Sequence, residues 1–262
     1  MDRPEGITVD TARNSVYLAL THNKRCMAVR LDAVHRRVKN RWGLIVDLTP
    51  PGGDHTAERF TWDILVACGD PDDSSVAAAR HPDIAESGWF ACLDKFAVDP
   101  SGRLWEATDQ GRGWAKSSGA ADGVWALETE ASRRGLGAML FRAPFGAEVA
   151  GPCFTPDGED LFVSVQHPAR DGAKSYPGFE RDSRFEDAAT RWPDFDPTLL
   201  PRPSVLAITR RGGRRIGKSG GFGGLIVAEG VFQAGDHFLR ANLPELTRFE
   251  GPVRQQAFGE AG

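Results

Sequence analysis

The stretch Phe154-Thr-Pro-Asp-Gly-Glu-Asp-Leu-Phe-Val-Ser-Val165 reads as two strands around a tight turn. Pro sets φ for the turn, Asp can bond the backbone and Gly accepts a positive φ, while β-branched and aromatic residues supply the strands. Two upstream stretches repeat the pattern: Ile7-Thr-Val-Asp-Thr-Ala-Arg-Asn-Ser-Val-Tyr-Leu-Ala-Leu-Thr21 and Phe96-Ala-Val-Asp-Pro-Ser-Gly-Arg-Leu-Trp-Glu-Ala-Thr108. A hairpin that recurs at intervals of tens of residues predicts an all-β fold, a β-propeller of small antiparallel sheets about an axis. The pattern alone leaves a β-sandwich with similar hairpins open.

Outward from these hairpins, further strands are expected over residues 27–31, 60–68, 123–127, 138–141 and 204–209. The polar stretches 32–59 and 168–203 read as long surface insertions. The second, rich in Pro, Asp, Arg and aromatic residues, is expected to lie over the propeller as a lid. Residues 1–216 form the propeller in this reading. Residues 217–262 begin with Gly217-Lys-Ser-Gly-Gly-Phe-Gly-Gly224 and read as a Gly-rich linker and a poorly ordered tail. The tail after these glycines has weak periodicity and no good helix pattern, which argues against a phosphate-binding loop of nucleotide-hydrolysing type.

A chain of 262 residues with 40% hydrophobic residues can bury a substantial core. Its 36 acidic residues outnumber 32 Lys and Arg, for a net charge of -4, so there is no basic excess of the kind that binds nucleic acid. The cluster Arg210, Arg211, Arg214 and Arg215 reads as a solvated turn. No run of about 18 apolar residues predicts a membrane span. The opening Met1-Asp-Arg-Pro-Glu5 lacks the pattern of a signal peptide, so the polypeptide as written is expected in the cytoplasm. Cys26, Cys68, Cys92 and Cys153 have no zinc-ligand spacing and read as small buried hydrophobes; two disulfides in an oxidising compartment are the alternative.

Several blocks carry a resemblance. Met1-Asp-Arg-Pro-Glu-Gly6 is followed by a strand and Leu20-Thr-His-Asn23; Phe60-Thr-Trp-Asp63 precedes Ala67-Cys-Gly-Asp-Pro71. Gly146-Ala-Glu-Val-Ala-Gly-Pro-Cys-Phe-Thr-Pro-Asp-Gly158 leads through Leu161-Phe-Val-Ser-Val-Gln-His-Pro168, and Ser204-Val-Leu-Ala-Ile-Thr209 closes the series. In this order the blocks resemble the C-terminal portion of PhoX-type alkaline phosphatases.

The resemblance implies a propeller that is incomplete, missing its N-terminal blades, with open edges available for association. It implies hydrolysis of small phosphate monoesters at a cluster of calcium and iron held by carboxylates, in a periplasmic or secreted enzyme. Hard cations take oxygen ligands and stabilise charge on transferring phosphoryl groups. Glu5, Glu148 and Asp94 correspond to metal ligands; Arg3, Asn23 and His167 are candidates for substrate contact. No catalytic nucleophile is assigned. Lys95 stands where the family carries Asn after the Asp, placing a cation beside the expected cluster. The family's iron-bridging cysteine and further acidic ligands have no counterpart here, so reduced or no activity is expected of this chain alone. The alternatives are a calcium-dependent lactonase-like propeller and a non-catalytic propeller fragment.

Overall fold

The computed structural model describes residues 2–210 and 214–216, and the strands at 229–234 and 237–242. Three antiparallel sheets follow one another along the chain. The first holds β1 (Pro4–Asp10), β2 (Ser15–Leu20), β3 (Leu44–Thr49) and β4 (Thr61–Ala67), in that order. The second holds β5 (Leu93–Val98), β6 (Leu104–Thr108), β7 (Gly123–Leu127) and β8 (Gly137–Arg142), again in order. The third is β9 (Glu148–Phe154), β10 (Asp160–Gln166) and β11 (Ser204–Thr209), with β10 in the middle. β5 packs against β1 on one side and against β9 on the other, so the first strands of the three sheets stand side by side, as in the blades of a propeller.

The hairpins form for the reasons local chemistry dictates. Asp10 Oδ1 accepts from the amides of Ala12 and Arg13 at 3.0 and 3.1 Å, and Asp99 Oδ1 from those of Ser101 and Arg103 at 2.7 and 3.1 Å. In the third turn Gly158 has φ of 73° and its amide donates to Thr155 O at 2.8 Å. Each side chain replaces a backbone partner that a tight turn would leave unpaired.

Two apolar cores lie between the sheets. Tyr17, Ile45 and Val66 of the first, with Cys68 just past β4, meet Leu93, Leu104 and Trp125 of the second, with Phe90 just before β5. Trp105, Val124 and Phe141 of the second meet Val149, Leu161, Val163 and Ile208 of the third. The middle sheet is thus covered on both faces.

Several expectations change. Residues 27–31 are not a strand: Ala28–Arg30 is a 3-10 turn, and Met27 and Val29 are 60% and 83% exposed, so their alternation matches no buried face. Conversely, β3 lies inside the stretch read as an insertion, and its Leu44, Ile45 and Val46 are core residues. Cys153 is exposed, whereas Cys26, Cys68 and Cys92 are buried, and all four are free thiols. The stretch 168–203 buries Trp192 in the core of the third sheet, where its Nε1 donates to Ser204 Oγ at 2.8 Å. Within the Gly-rich tail, β12 (Glu229–Ala234) and β13 (His237–Asn242) pair antiparallel; residues 217–228, 235–236 and 243–262 lie outside the described residues. No helix among the described residues is long and apolar enough to cross a membrane.

Candidate active site

Three acidic residues enter at the same end of the three innermost strands. Glu5 is the second residue of β1, Asp94 the second of β5 and Glu148 the first of β9. Two of them are presented by irregularities in pairing. Glu5 and Gly6 lie between the paired residues Pro4 and Ile7, opposite one residue of β2, and Asp94 lies between the paired Leu93 and Lys95. Such bulges bend a strand and re-aim its side chains. Gly6 lets the two strands come together there: a Cβ on it would stand 2.4 Å from the carbonyl oxygen of Asp94.

Positive groups are interleaved with the acids. Lys95 Nζ stands 2.5 Å from Asp94 Oδ1 and 3.7 Å from Glu5 Oε2, and Arg3 pairs with Glu5. Glu148 Oε1 accepts from Gln166 Nε2 at 2.9 Å, and its Oε2 lies 3.2 Å from Nε2 of His167, just past the end of β10. The other ring nitrogen of His167, Nδ1, is 3.7 Å from Asp171 and has no hydrogen-bond partner.

The charges act on one another. Burial, and then the charge of Asp109, raise the Glu148 carboxyl above its ordinary pKa, against the hydrogen bond from His167. Burial and Asp94 raise Asp109, against Arg3. Burial opposes the charge on Lys95, but Asp94, Glu5 and Glu148 outweigh it and hold the ammonium more firmly protonated. Burial, with Lys24 and Arg3, lowers His22 to about 4, so its imidazole is neutral at neutral pH.

Five residues singled out in the sequence, Arg3, Glu5, Asp94, Glu148 and His167, therefore meet in one interacting group. Asn23 lies at the same end, after β2, but its side-chain oxygen accepts from the amide of Arg25 at 3.3 Å, and its backbone bridges to Asn40. Asp109 and Asp171 were not foreseen. Asp109 follows the end of β6 as His167 follows the end of β10, a repeat position from which both could have been found. Lys95 borders a cavity of about 570 Å³ shared with Ser164, Gln166 and Ser204.

Carboxylate oxygens suit calcium and ferric iron. As placed, however, no group of three or more His, Cys, Asp or Glu able to hold a metal ion forms among the described residues. Lys95 instead supplies the charge between Glu5 and Asp94. These residues do not fit a resident metal as they stand.

Blades whose inner strands carry acids and bases to a common end define a propeller protein with a charged axial site. The family model for alkaline phosphatase PhoX matches residues 1–169, and the chain belongs to that family, one of metalloenzymes. The solved structure of Pseudomonas fluorescens PhoX in complex with vanadate, a transition state analogue, is 28% identical, with a TM-score of 0.68 over 83% of this chain. This chain spans 35% of the length of that protein. A calcium-binding regucalcin from Agrobacterium tumefaciens, 16% identical, covers 88% of this chain and 66% of its own at a TM-score of 0.32, too low to carry an argument. No curated protein matches the chain.

Proposed function

We propose that this chain carries part of a phosphomonoester-hydrolysing site, in which Arg3, Lys95 and His167 face the phosphoryl group and Glu5, Asp94 and Glu148 hold those side chains in place. The supporting observation is the convergence of three strand-start carboxylates and these three bases at one end of adjacent sheets. Preorganised cations aimed at the phosphoryl oxygens stabilise charge that develops in transfer. The vanadate bound by the Pseudomonas relative supports phosphoryl transfer as the chemistry.

Charge balance sets the expected strength. Glu5, Asp94, Asp109, Glu148 and Asp171 outnumber Arg3 and Lys95, so the group as it stands is short of positive charge for a phosphate dianion. Added calcium and iron are the cations the family relation suggests, and turnover by this chain alone is expected to be low or absent.

Vanadate titration of the purified chain, followed by calorimetry, tests the reading. Weak binding that Lys95→Ala or Arg3→Ala removes, while both variants stay folded, is expected. Vanadate binding indifferent to both substitutions would sink it. Hydrolysis of a chromogenic phosphate monoester at alkaline pH, with calcium and iron supplied, should be minimal and should disappear in Glu148→Ala.

A further inference from the structure

Past His167 the chain enters a second cavity, of about 610 Å³, which the charged group described above does not use. Its lining includes Arg112, Arg170, Lys174 and Arg184 against one carboxylate, Asp182. Two of these cations are already paired: Lys174 Nζ with Asp182 at 3.0 Å, and Arg112 Nε with Asp171 at 3.6 Å. The guanidinium groups of Arg170 and Arg184 have no carboxylate within ion-pair distance among the described residues. Phe185 and Leu200 supply apolar wall beside them.

The cavity is built rather than incidental. The amides of Ala169 and Asp171 donate to Phe145 O and Gly146 O at 2.6 and 3.0 Å, which pins Arg170 to the turn that leads into β9. A Cβ on Gly146 would come within 2.7 Å of the Arg170 amide nitrogen, so the two segments touch backbone to backbone. Trp114, stacked on Tyr176 with ring centroids 4.1 Å apart, donates from Nε1 to Gly172 O at 3.2 Å and so holds a lining residue in place. The far wall is held by the ion pair between Arg181 and Asp187, and by Arg191, whose guanidinium donates to Phe185 O. Charged groups within 4 Å of one another lead from cavity to site: Arg112 beside Asp171, Asp171 beside His167, and His167 beside Glu148.

From this geometry we infer that the cavity binds a second anionic group on the leaving-group side of an organic phosphate, with Arg170 and Arg184 as its contacts and Phe185 against the apolar spacer. Guanidinium groups match phosphate or carboxylate oxygens in bidentate fashion, and unpaired ones give up no existing ion pair to do so. The preferred substrate class is then a phosphate ester whose alcohol carries a further phosphate or carboxylate. This inference rests on the phosphomonoester reading for the position of the first phosphate, but the cavity's own binding can be measured apart from it.

The experiment is calorimetric titration of the full chain with hexanediol bisphosphate and with hexyl monophosphate. The bisphosphate should bind about tenfold or more tightly than the monophosphate, the range expected for one added charge-assisted contact. An Arg170→Ala, Arg184→Ala double variant should erase that difference and leave monophosphate binding unchanged; both side chains are exposed, and melting by circular dichroism confirms the fold. Equal affinity for the two ligands, including no binding of either, overturns the inference, as does a preference that survives the double variant. Bisphosphate binding that depends on these arginines but not on Arg3 or Lys95 would keep the cavity assignment and sink the phosphomonoester reading instead.

Discussion

Glu106 lies wholly inside the middle sheet, and neither carboxylate oxygen has a hydrogen-bond partner. Burial, followed by the charge of Asp122, holds its pKa well above the ordinary carboxylate range, with Arg80 opposing. A carboxyl raised in the folded state favours folding fully below the unfolded value, near 4.5, and loses that contribution as pH rises toward the folded value. Glu106→Gln keeps the shape without the ionisation. It should therefore flatten the fall in melting temperature between pH 5 and 8, by about 2–4 °C for each kcal/mol relieved. Asp122, raised in the same sense, leaves a residual slope. A variant that melts with the same pH dependence as the parent would show that Glu106 is not the titrating group. At the charged site the decisive residue is Lys95, which neutralises Asp94 and Glu5. Lys95→Asn should raise calcium affinity about tenfold or more, because removing a like charge some 4 Å away favours a cation by more than 1 kcal/mol. Calcium titration calorimetry checks this, and an unchanged affinity would mean that the carboxylates are too far apart to share an ion.

Elements rest on a few contacts that can be tested singly. Gly6→Ala would push a methyl into the Asp94 carbonyl, so β1 must retreat from β5; a loss of about 1–3 kcal/mol is expected from overpacking, read by denaturant unfolding. Trp192, buried in the third core, should cost about 3–5 kcal/mol on truncation to alanine. The partly exposed Trp62 of β4 should cost much less. How far such elements could be read beforehand follows their physics. The hairpin turns were legible because Asp and Gly act on atoms two or three residues away. β3 was not, because Leu44-Ile-Val-Asp-Leu-Thr49 is short and lies among polar flanks, and only its pairing with β2 and β4 makes it a strand. Residues 27–31 show the converse, an alternation that no neighbouring sheet covers. Glu5, Asp94 and Glu148 could be picked out because each opens an inner strand in a matched motif. Asp109 and Asp171 become their neighbours only once separate sheets pack together, a relation no local pattern contains.

At the scale of the whole molecule, the middle sheet shares one core with each neighbour and has no face left to water. Local opening is least favourable where both faces are buried. Amide hydrogen exchange should therefore be slowest in β6 and β7 and faster in β4, which among the described residues pairs along its length with β3 alone. Uniform protection across all three sheets would instead indicate one indivisible folding unit. The entry of each acid at the head of its own sheet has a historical corollary. A lineage that gains or loses one sheet changes the axial site by a set of side chains at once, Arg3 with Glu5 or Asp94 with Lys95. Such a centre is assembled, or dismantled, in sets of residues, and each step also exposes or covers a shared apolar core.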